Sequence, residues 1–467
     1  MIRIVLLSLL LFPFLVSPLF GSDNENRNEI SPDQNVIIIS IDGFPADLLW
    51  DIKAHIPVIR TMALNGAWAY AMVPSNPTLT WANHTSIVTG VHPEKHCVIF
   101  NGKVEYTNGG LPVRMNSAKD KSELVNVPTV YDAAFEAGLT TAEINWPATR
   151  NAGTLHDSFP DVPDNVGNMT DELRWELYDL GILEDMTTFA LWKHSSSGRD
   201  EVWLQSALHI IENRMPSLLL LHFLNVDSSH HRYGVGSDAG FTALQLIDYQ
   251  INQILLKLEN TGELENTNIF ITTDHGFTNT PNSILPNVAL ANHNLLNIVE
   301  GRIIDGRVQA ISNGGISFIY LNDPDDTEAL EIAENIFKNM EGVYKIIRQE
   351  EYHLYGLPDP SSCNQTGQLA LASFPGYAFN NSIEGTDEIV RSADYGFSLG
   401  HHGFLNTFKQ MDSAFIGFGP SIKKGVILDT MDIRSIAPTV AHILGINLDT
   451  AEGDVLYEIL ELGYSSN

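Results

Sequence analysis

Short runs of branched apolar residues alternate along the chain with longer stretches of helical periodicity. Each run is almost entirely apolar and ends on a polar residue or glycine, which is typical of strands buried on both faces of a parallel sheet. The clearest runs are residues 35–42, 217–227, 267–274 and 413–419. Because helical patterns lie between these runs, the chain predicts an α/β sandwich with a central, mostly parallel sheet.

Three stretches have the pattern of helices. Residues 241–260 place a stripe of apolar side chains on one helical face. Residues 128–138 end in Gly138, which suits a helix C-terminus. Residues 432–446 resemble a late helix with Pro438 in or near it.

One region departs from the sandwich pattern. Residues 309–321 have a strand pattern, residues 323–340 an acidic helical pattern, and a stretch rich in Gly, Pro, Ser and Asn follows. We therefore predict a small α+β insertion, or cap, over residues 286–394. The catalytic core would then consist of residues 35–285 and 395–467.

The N-terminus has the shape of an export signal. A basic residue is followed by an apolar run over residues 4–20 and by two small residues, which predicts a signal peptide at 1–21 and a polar linker at 22–34. The alternative to cleavage is an uncleaved anchor. Pro13 and Pro18 weigh against it, because they disfavour a helix that spans the membrane. We expect a secreted, periplasmic or extracellular protein without stable membrane insertion after cleavage.

Composition narrows the function further. The 467 residues include 26 Lys and Arg and 57 Asp and Glu, so the formal net charge is −31. This acidity argues against binding to long nucleic acids or to anionic membrane surfaces. The two cysteines, Cys97 and Cys363, exclude a paired C-x-x-C zinc site and leave their own pairing open. Any metal must therefore be held by carboxylates and imidazoles.

Acidic residues and histidines follow several predicted strands. Asp42 and Asp227 each end an apolar run, Asp274 and His275 end another, and a later loop carries His401 and His402. Each alone is more often a turn or cap residue. Together they would converge at the carboxyl edge of the sheet, where open α/β folds bind ligands. Their oxygen and nitrogen atoms suit two sites for Zn²⁺ or a similar divalent ion.

A candidate nucleophile lies in residues 74–90, which are dense in hydroxyls. The tail of this segment predicts a helix, so Thr80 would stand at a helix N-terminus, where backbone N–H groups favour an anion. A coordinated metal could activate the threonine. The alternative is that Thr80 only caps the helix.

The order of these motifs resembles the type I phosphodiesterase/nucleotide pyrophosphatase family of the alkaline phosphatase superfamily. The segments that carry the resemblance span almost the whole chain after the signal: IDGF (41–44), PTLTWANHTSIVTGVHPEKH (77–96), VDSSHHRYG (226–234), TDHGF (273–277) and HHGF (401–404). The family fold is an alkaline-phosphatase-like α/β sandwich, in agreement with the strand pattern.

The resemblance implies a role for each matching residue. Thr80 would be the nucleophile, forming a phosphothreonine, and Asn83 would bind the phosphoryl oxygen. The resemblance also implies two divalent ions, with Zn²⁺ favoured and Mn²⁺ or mixed occupancy left open. The implied ligands are Thr80, Asp42, Asp274 and His275 for the first ion, and Asp227, His231 and His402 for the second.

Several residues differ from the usual family pattern and leave the substrate open. Trp81 stands where phenylalanine is usual and would stack on the substrate's base or plug the pocket rim. His230 replaces a small residue, and we expect it to be a bystander. A sulfatase is disfavoured because no C-x-P-x-R or S-x-P-x-R segment occurs.

The expected function is metal-dependent hydrolysis of small phosphoesters or nucleotides. The alternatives are a phosphonate hydrolase of the phosphonoacetate type and a lipid headgroup phosphodiesterase, and a non-catalytic metal-binding protein is disfavoured. The oligomeric state is left open.

Overall fold

The computed structural model describes residues 34–461 apart from 108–109, 163–164 and 188–193. The predicted signal peptide and residues 22–33 of the linker lie outside the described residues, so both stay predictions. Among the helices of the described ranges, none is both long enough and apolar enough to cross a bilayer.

The described strands are numbered in chain order. They are β1 (Asn35–Ile41), β2 (Ala67–Val73), β3 (Lys103–Thr107), β4 (Gly110–Asn116), β5 (Thr141–Pro147), β6 (Asp157–Asp161), β7 (Leu218–Phe223), β8 (Thr267–Thr272), β9 (Thr278–Asn279), β10 (Asn282–Ile284), β11 (Leu296–Val299), β12 (Arg302–Gly306), β13 (Val308–Asn313), β14 (Ile316–Leu321), β15 (Val343–Arg348), β16 (Leu369–Ser373), β17 (Tyr377–Phe379), β18 (Ile389–Arg391), β19 (Gly400–His401), β20 (Ser413–Phe418), β21 (Val426–Leu428) and β22 (Met431–Asp432).

The described α-helices are numbered in the same way. They are α1 (Pro57–Leu64), α2 (Thr80–Thr89), α3 (Pro93–His96), α4 (Lys121–Leu124), α5 (Val130–Glu136), α6 (Asp171–Asp179), α7 (Ser196–Arg214), α8 (Asn225–Tyr233), α9 (Asp238–Thr261), α10 (Pro286–Asn292), α11 (Thr327–Lys338) and α12 (Ile436–Leu444).

The central sheet has the order β21–β2–β20–β8–β1–β7–β5–β6, with β22 beside β2. Strand β1 pairs in parallel with β7 and β8, and β20 runs antiparallel to both of its neighbours. Side chains of β1 alternate between two buried cores, because Ile37, Ile39 and Ile41 face one side of the sheet and Val36 and Ile38 the other. The predicted α/β sandwich with a mostly parallel sheet is confirmed.

Helices cover both faces of this sheet. Residues of α1, α7 and α9 share the core on one face, and residues of α2, α5 and α12 share the core on the other. The predicted helix at 241–260 is α9, and the late helix is α12, whose first turn contains Pro438, where a missing backbone N–H is tolerated.

One predicted strand is shorter than its apolar run. The run at 217–227 forms β7 only as far as Phe223, and α8 begins at Asn225. Asp227 therefore lies in the first turn of a helix and not at a strand end, which corrects that prediction. Because α8 is helical, Asp227 and His231, four residues apart, come onto one face.

An antiparallel sheet of four strands, in the order β13–β14–β16–β15, lies within the region predicted as an insertion. One face of it packs on α11. The other face packs on the segment around the start of α2, including Leu79 and Ala82. Strand β10, just ahead of the predicted boundary, pairs with β17 and β18 inside it.

Cys97 and Cys363 form a disulfide that joins segments 266 residues apart. The bond ties the turn after α3 to the loop between β15 and β16, so it links the region after α2 to the antiparallel sheet. The pairing that the sequence left open is thus present.

Candidate active site

Thr80 is the first residue of α2, and its side chain is not used to cap that helix. The N-cap is Leu79, which has no side chain for a capping hydrogen bond. Thr80 is 7 % exposed, and its Oγ1 lies 3.5 Å from Nε2 of His275. The hydroxyl therefore faces the end of β8, and the alternative that Thr80 is only a helix cap does not fit this geometry.

The first group of candidate ligands surrounds Nε2 of His275. This nitrogen lies 3.0 Å from Oδ2 of Asp274 and 3.4 Å from Oδ1 of Asp42. The carboxylates follow the neighbouring strands β8 and β1, whose parallel register brings their carboxyl ends together. All three residues are almost completely buried.

The second group forms between α8 and the segment after β19. Oδ1 of Asp227 lies 3.3 Å from Nε2 of His231 and 3.7 Å from Nε2 of His402. Ligand atoms of these three residues lie within 4.8 Å of one another, as do those of Asp42, Asp227 and His275. Asp227 therefore belongs to both clusters, and the two groups are adjacent.

A backbone carbonyl orients each of the three imidazoles. Nδ1 lies 2.9 Å from the Gly400 oxygen in His231, 3.1 Å from the Gly276 oxygen in His275, and 2.9 Å from the Thr78 oxygen in His402. A carbonyl oxygen only accepts, so the hydrogen belongs on Nδ1 and the lone pair of Nε2 points into the groups. Metal-binding histidines have this arrangement.

The carboxylates present oxygen atoms that lack partners. Oδ1 of Asp42, Oδ1 of Asp227 and Oδ2 of Asp274 are buried and accept no hydrogen bond from the described residues. These oxygens face imidazole lone pairs. Burying a carboxylate without a partner is unfavourable to the free energy of folding. A divalent cation would satisfy both sets of lone pairs, so the residues fit two ions of the Zn²⁺ type.

Electrostatics also favour a cation here. Burial, together with the nearby Asp274 and Asp227, raises the pKa of Asp42 well above its usual value. Carboxylates crowded in this way repel one another unless positive charge separates them.

Asn83 is fully buried, and its side chain forms hydrogen bonds with the backbone of the loop that precedes α2. Its Oδ1 accepts from the Ser75 backbone N–H at 2.7 Å, and its Nδ2 lies 3.1–3.2 Å from the carbonyl oxygens of Ser75, Pro77 and Leu79. These contacts leave no amide hydrogen for a phosphoryl oxygen, so Asn83 holds the loop ahead of the nucleophile.

Asn101, which the sequence reasoning missed, has a side-chain amide that is better placed than that of Asn83 to reach a phosphoryl oxygen. Its Oδ1 accepts from the backbone N–H of Trp81 at 3.1 Å, which holds the side chain beside Thr80. With Oδ1 held, the NH₂ group is the end of the amide left to donate. Asn101 directly follows the apolar run Val98–Phe100, a signal similar to the other polar residues after apolar runs.

Trp81 is 3 % exposed and belongs to a small packed cluster. Its Nε1–H donates to Oδ2 of Asp161 at 3.1 Å. Base stacking by Trp81 stays a prediction that would need the ring to become more exposed. The other members of its cluster are Val98, Leu124, Ala148 and Val162.

His230 and His401 flank the second group without joining it. Nδ1 of His230 lies 3.1 Å from the Gly43 carbonyl oxygen, and a Cβ added to Gly240 would lie 2.7 Å from its Nε2, so that edge faces α9. His401 lies beside His231 with ring centroids 4.8 Å apart, but neither cluster of converging ligand atoms includes it. This geometry fits the expectation that His230 is a bystander.

Comparison with known proteins agrees with the fold. Residues 36–405 match the profile of the type I phosphodiesterase/nucleotide pyrophosphatase family. Murine ectonucleotide pyrophosphatase/phosphodiesterase 5 has a TM-score of 0.68 at 18 % identity, covering 92 % of this chain and 100 % of that one. Its inactive variant in complex with AMP gives the same TM-score at 17 % identity over the same shares.

Curated relatives include larger proteins. Ectonucleotide pyrophosphatase/phosphodiesterase family member 3 of Bos taurus is 23 % identical over 88 % of this chain, which spans 42 % of that relative. A pyrophosphatase/phosphodiesterase of Schizosaccharomyces pombe is 24 % identical over 96 % of this chain and 85 % of its own length. The fold and site define an α/β protein of the alkaline phosphatase superfamily. Within it, the chain belongs to the type I phosphodiesterase/nucleotide pyrophosphatase family.

Proposed function

We propose that this chain is a secreted, metal-dependent phosphodiesterase/nucleotide pyrophosphatase that hydrolyses small phosphoesters through a phosphothreonine on Thr80. One observation carries the proposal. The Thr80 hydroxyl, which does not cap its helix, lies 3.5 Å from Nε2 of His275, beside carboxylate oxygens that accept no hydrogen bond from the residues described.

Two ions would be held by the residues that the sequence suggested. Asp42, Asp274, His275 and Thr80 would hold the first, and Asp227, His231 and His402 the second, with Zn²⁺ favoured by the oxygen and nitrogen ligands. When bound, such ions lower the pKa of a hydroxyl and of water and offset the negative charge of a phosphoryl group.

Thr80 would act as the nucleophile. Its Oγ1 bonds to phosphorus as the bond to the leaving oxygen breaks, and the hydroxyl proton departs to solvent. Water then attacks phosphorus, the bond to Oγ1 breaks, and Thr80 regains a proton. Asn101 would donate an amide hydrogen to the phosphoryl oxygen, the role that the sequence suggested for Asn83.

Small substrates suit the charge of this protein. The protein has a formal net charge of −31, so outside the metal centre it repels long polyanions. Relatives have names that fit small nucleotides, such as the bis(5'-adenosyl)-triphosphatase of Homo sapiens, 22 % identical over 94 % of this chain. Export is proposed from the signal-like N-terminus and from relatives named as ectoenzymes.

We also propose that residues 286–394 form a cap between the core segments 35–285 and 395–467. The antiparallel sheet in this region packs on Leu79 and Ala82, on either side of the nucleophile along the chain. The cap would thereby shape the pocket beside Thr80.

A rate comparison with metal-replete protein tests this function. The substrates are a thymidine phosphodiester, a chromogenic phosphate monoester, a phosphocholine ester and phosphonoacetate. We expect the thymidine phosphodiester to be hydrolysed fastest. Preference for phosphonoacetate or the phosphocholine ester would instead support a phosphonate hydrolase or a lipid headgroup phosphodiesterase, and no turnover of any substrate would refute the proposal.

A further inference from the structure

His222 is a polar residue next to the C-terminal end of an otherwise apolar buried strand. It lies in β7, next to β1, and is fully buried among the leucines of that strand. A buried imidazole is stable only where its nitrogen atoms find partners. Neither the motifs that define the family resemblance nor the proposed chemistry uses this residue.

Both ring nitrogens of His222 have polar neighbours. Nε2 lies 3.2 Å from Oδ2 of Asp42. Nδ1 lies 3.0 Å from the backbone oxygen of Asn145 and 3.4 Å from its side-chain Nδ2. Asn145 thus offers both an acceptor and a donor, and one of them suits either tautomer of the ring.

Asn145 is itself held in an unusual backbone conformation. Its φ of 61° lies in the left-handed region, which asparagine tolerates better than most residues. Its Nδ2 also donates to the backbone oxygen of His222 at 3.1 Å. Asn145 therefore clamps His222 through both backbone and side chain.

The two oxygens of Asp42 have different surroundings. Oδ2 meets His222, whereas Oδ1 lies 3.4 Å from Nε2 of His275 and has no hydrogen-bond partner in the described structure. The contact with His222 therefore fixes which oxygen faces the first group of ligands. No described hydrogen bond joins His222 to Asp227, His231 or His402 of the second group.

We infer that His222 is a positioning residue for the first metal site: clamped by Asn145, its Nε2 contacts Oδ2 of Asp42 and leaves Oδ1 facing the ion. The inference rests on the proposed function, because it assumes that Asp42 binds a metal. We expect His222 to act on the first site only, since no hydrogen bond in the described part of the chain joins it to the second group.

Zinc binding in two single-site backgrounds tests the inference. His402→Ala disables the second site and reports on the first, and His275→Ala does the reverse. Each metal-free protein is titrated with Zn²⁺ against a competing chelator, with and without His222→Phe. We expect His222→Phe to weaken zinc binding about 10- to 100-fold in the His402→Ala background. In the His275→Ala background the change should stay within about threefold, well below that loss.

Two further variants separate positioning from simple loss of a buried imidazole. His222→Gln keeps an N–H donor and should lose less zinc affinity than His222→Phe. His96→Phe removes another fully buried histidine, one that contacts Ser86 and Val98, and should leave first-site affinity unchanged. Should His222→Phe fail to fold, Asn145→Gly keeps the left-handed backbone, removes the side-chain clamp and should weaken the same site.

An equal loss at both sites, or no loss at the first site in a folded variant, would overturn the inference. Zinc binding and turnover are measured separately, so the two proposals fail differently. An unaltered protein that binds zinc but hydrolyses nothing refutes the proposed function and leaves the role of His222 standing. A protein that binds no zinc refutes both.

Discussion

The imidazole rings of His275 and His402 stack face to face, with centroids 3.6 Å apart and an angle of 6° between their planes. His275 belongs to the first group of ligands and His402 to the second. Their Nδ1 atoms contact carbonyl oxygens of Gly276 and Thr78, so distant chain segments fix the two rings. The two groups of ligands are therefore in direct contact through these rings, as two adjacent metal ions require.

Replacing Thr80 by alanine should abolish turnover and leave the metal centre in place. The hydroxyl is the proposed nucleophile, whereas six other side chains remain to hold the ions. We expect a loss in kcat of about 10³-fold or more, the scale seen when a nucleophile is removed. Bound zinc, measured by elemental analysis, should equal that of the unaltered protein.

Thr89→Ala is the matched control for this change. Thr89 lies in the same helix and is also buried, but its hydroxyl donates to the Thr85 carbonyl oxygen at 2.7 Å. It should keep most of the activity. Normal turnover by a zinc-loaded Thr80→Ala protein would exclude Thr80 as the nucleophile.

Removing the metal should inactivate the protein and also destabilise it. Without cations, the carboxylates of Asp42, Asp227 and Asp274 remain buried beside imidazole lone pairs. Dialysis against a chelator should eliminate turnover, and adding Zn²⁺ should restore it. The melting temperature should rise with zinc concentration, because an ion that binds only the folded state stabilises it. Full activity in excess chelator would contradict a metal mechanism.

The strands, and the places of most candidate ligands at their ends, could be predicted because their signals are local. Apolar runs determine β1 and β8, and Asp42 and Asp274 directly follow them. The helix at Asp227 was missed because the apolar run continues beyond Phe223, where β7 ends, so the run does not mark the end of the strand.

The contacts of the two asparagines could not be predicted from the sequence. Asn83 lies in the most distinctive motif, yet its amide is consumed by backbone groups of residues 75–79. Asn101 comes 21 positions after Thr80, and only the turns after α2 bring it to Trp81. A contact of this kind depends on tertiary structure and leaves no periodic signal.

The two asparagines should respond differently to replacement by alanine. Asn101→Ala removes a proposed donor to the phosphoryl oxygen and should lower kcat by about 10²–10³-fold, with a smaller fall in melting temperature than Asn83→Ala, because only the Trp81 backbone N–H loses a partner. Asn83→Ala leaves buried backbone groups without partners, each costing about 1–3 kcal/mol, and should lower the melting temperature.

Thermal melts and initial rates on both variants distinguish the roles. For Asn83→Ala we expect the fall in stability to exceed any direct effect on kcat at temperatures well below its melting point. If Asn101→Ala retained full kcat and Asn83→Ala lost it without destabilisation, Asn83 would be the phosphate-binding residue after all.

Glu143 should make stability depend on pH. It is fully buried in β5, where it accepts hydrogen bonds from the Ser158 hydroxyl and from the Trp146 backbone N–H at 2.9 Å. Burial raises its pKa to about 7, whereas an unfolded glutamate has a pKa of about 4.3. The folded state therefore binds the proton more tightly, and this stabilisation is full below about pH 4 and lost as pH rises through 7.

The variant Glu143→Gln isolates this contribution, because glutamine keeps the acceptor for Trp146 and stays neutral at every pH. Urea unfolding of both proteins, metal-free, at pH 5 and pH 8 gives the difference in unfolding free energy. The unaltered protein should lose on the order of 2–3 kcal/mol relative to the variant between these values. Histidines and other carboxylates titrate equally in both proteins and cancel. Parallel pH dependences would mean that Glu143 is ionised in the folded state throughout this range, against the effect of its burial.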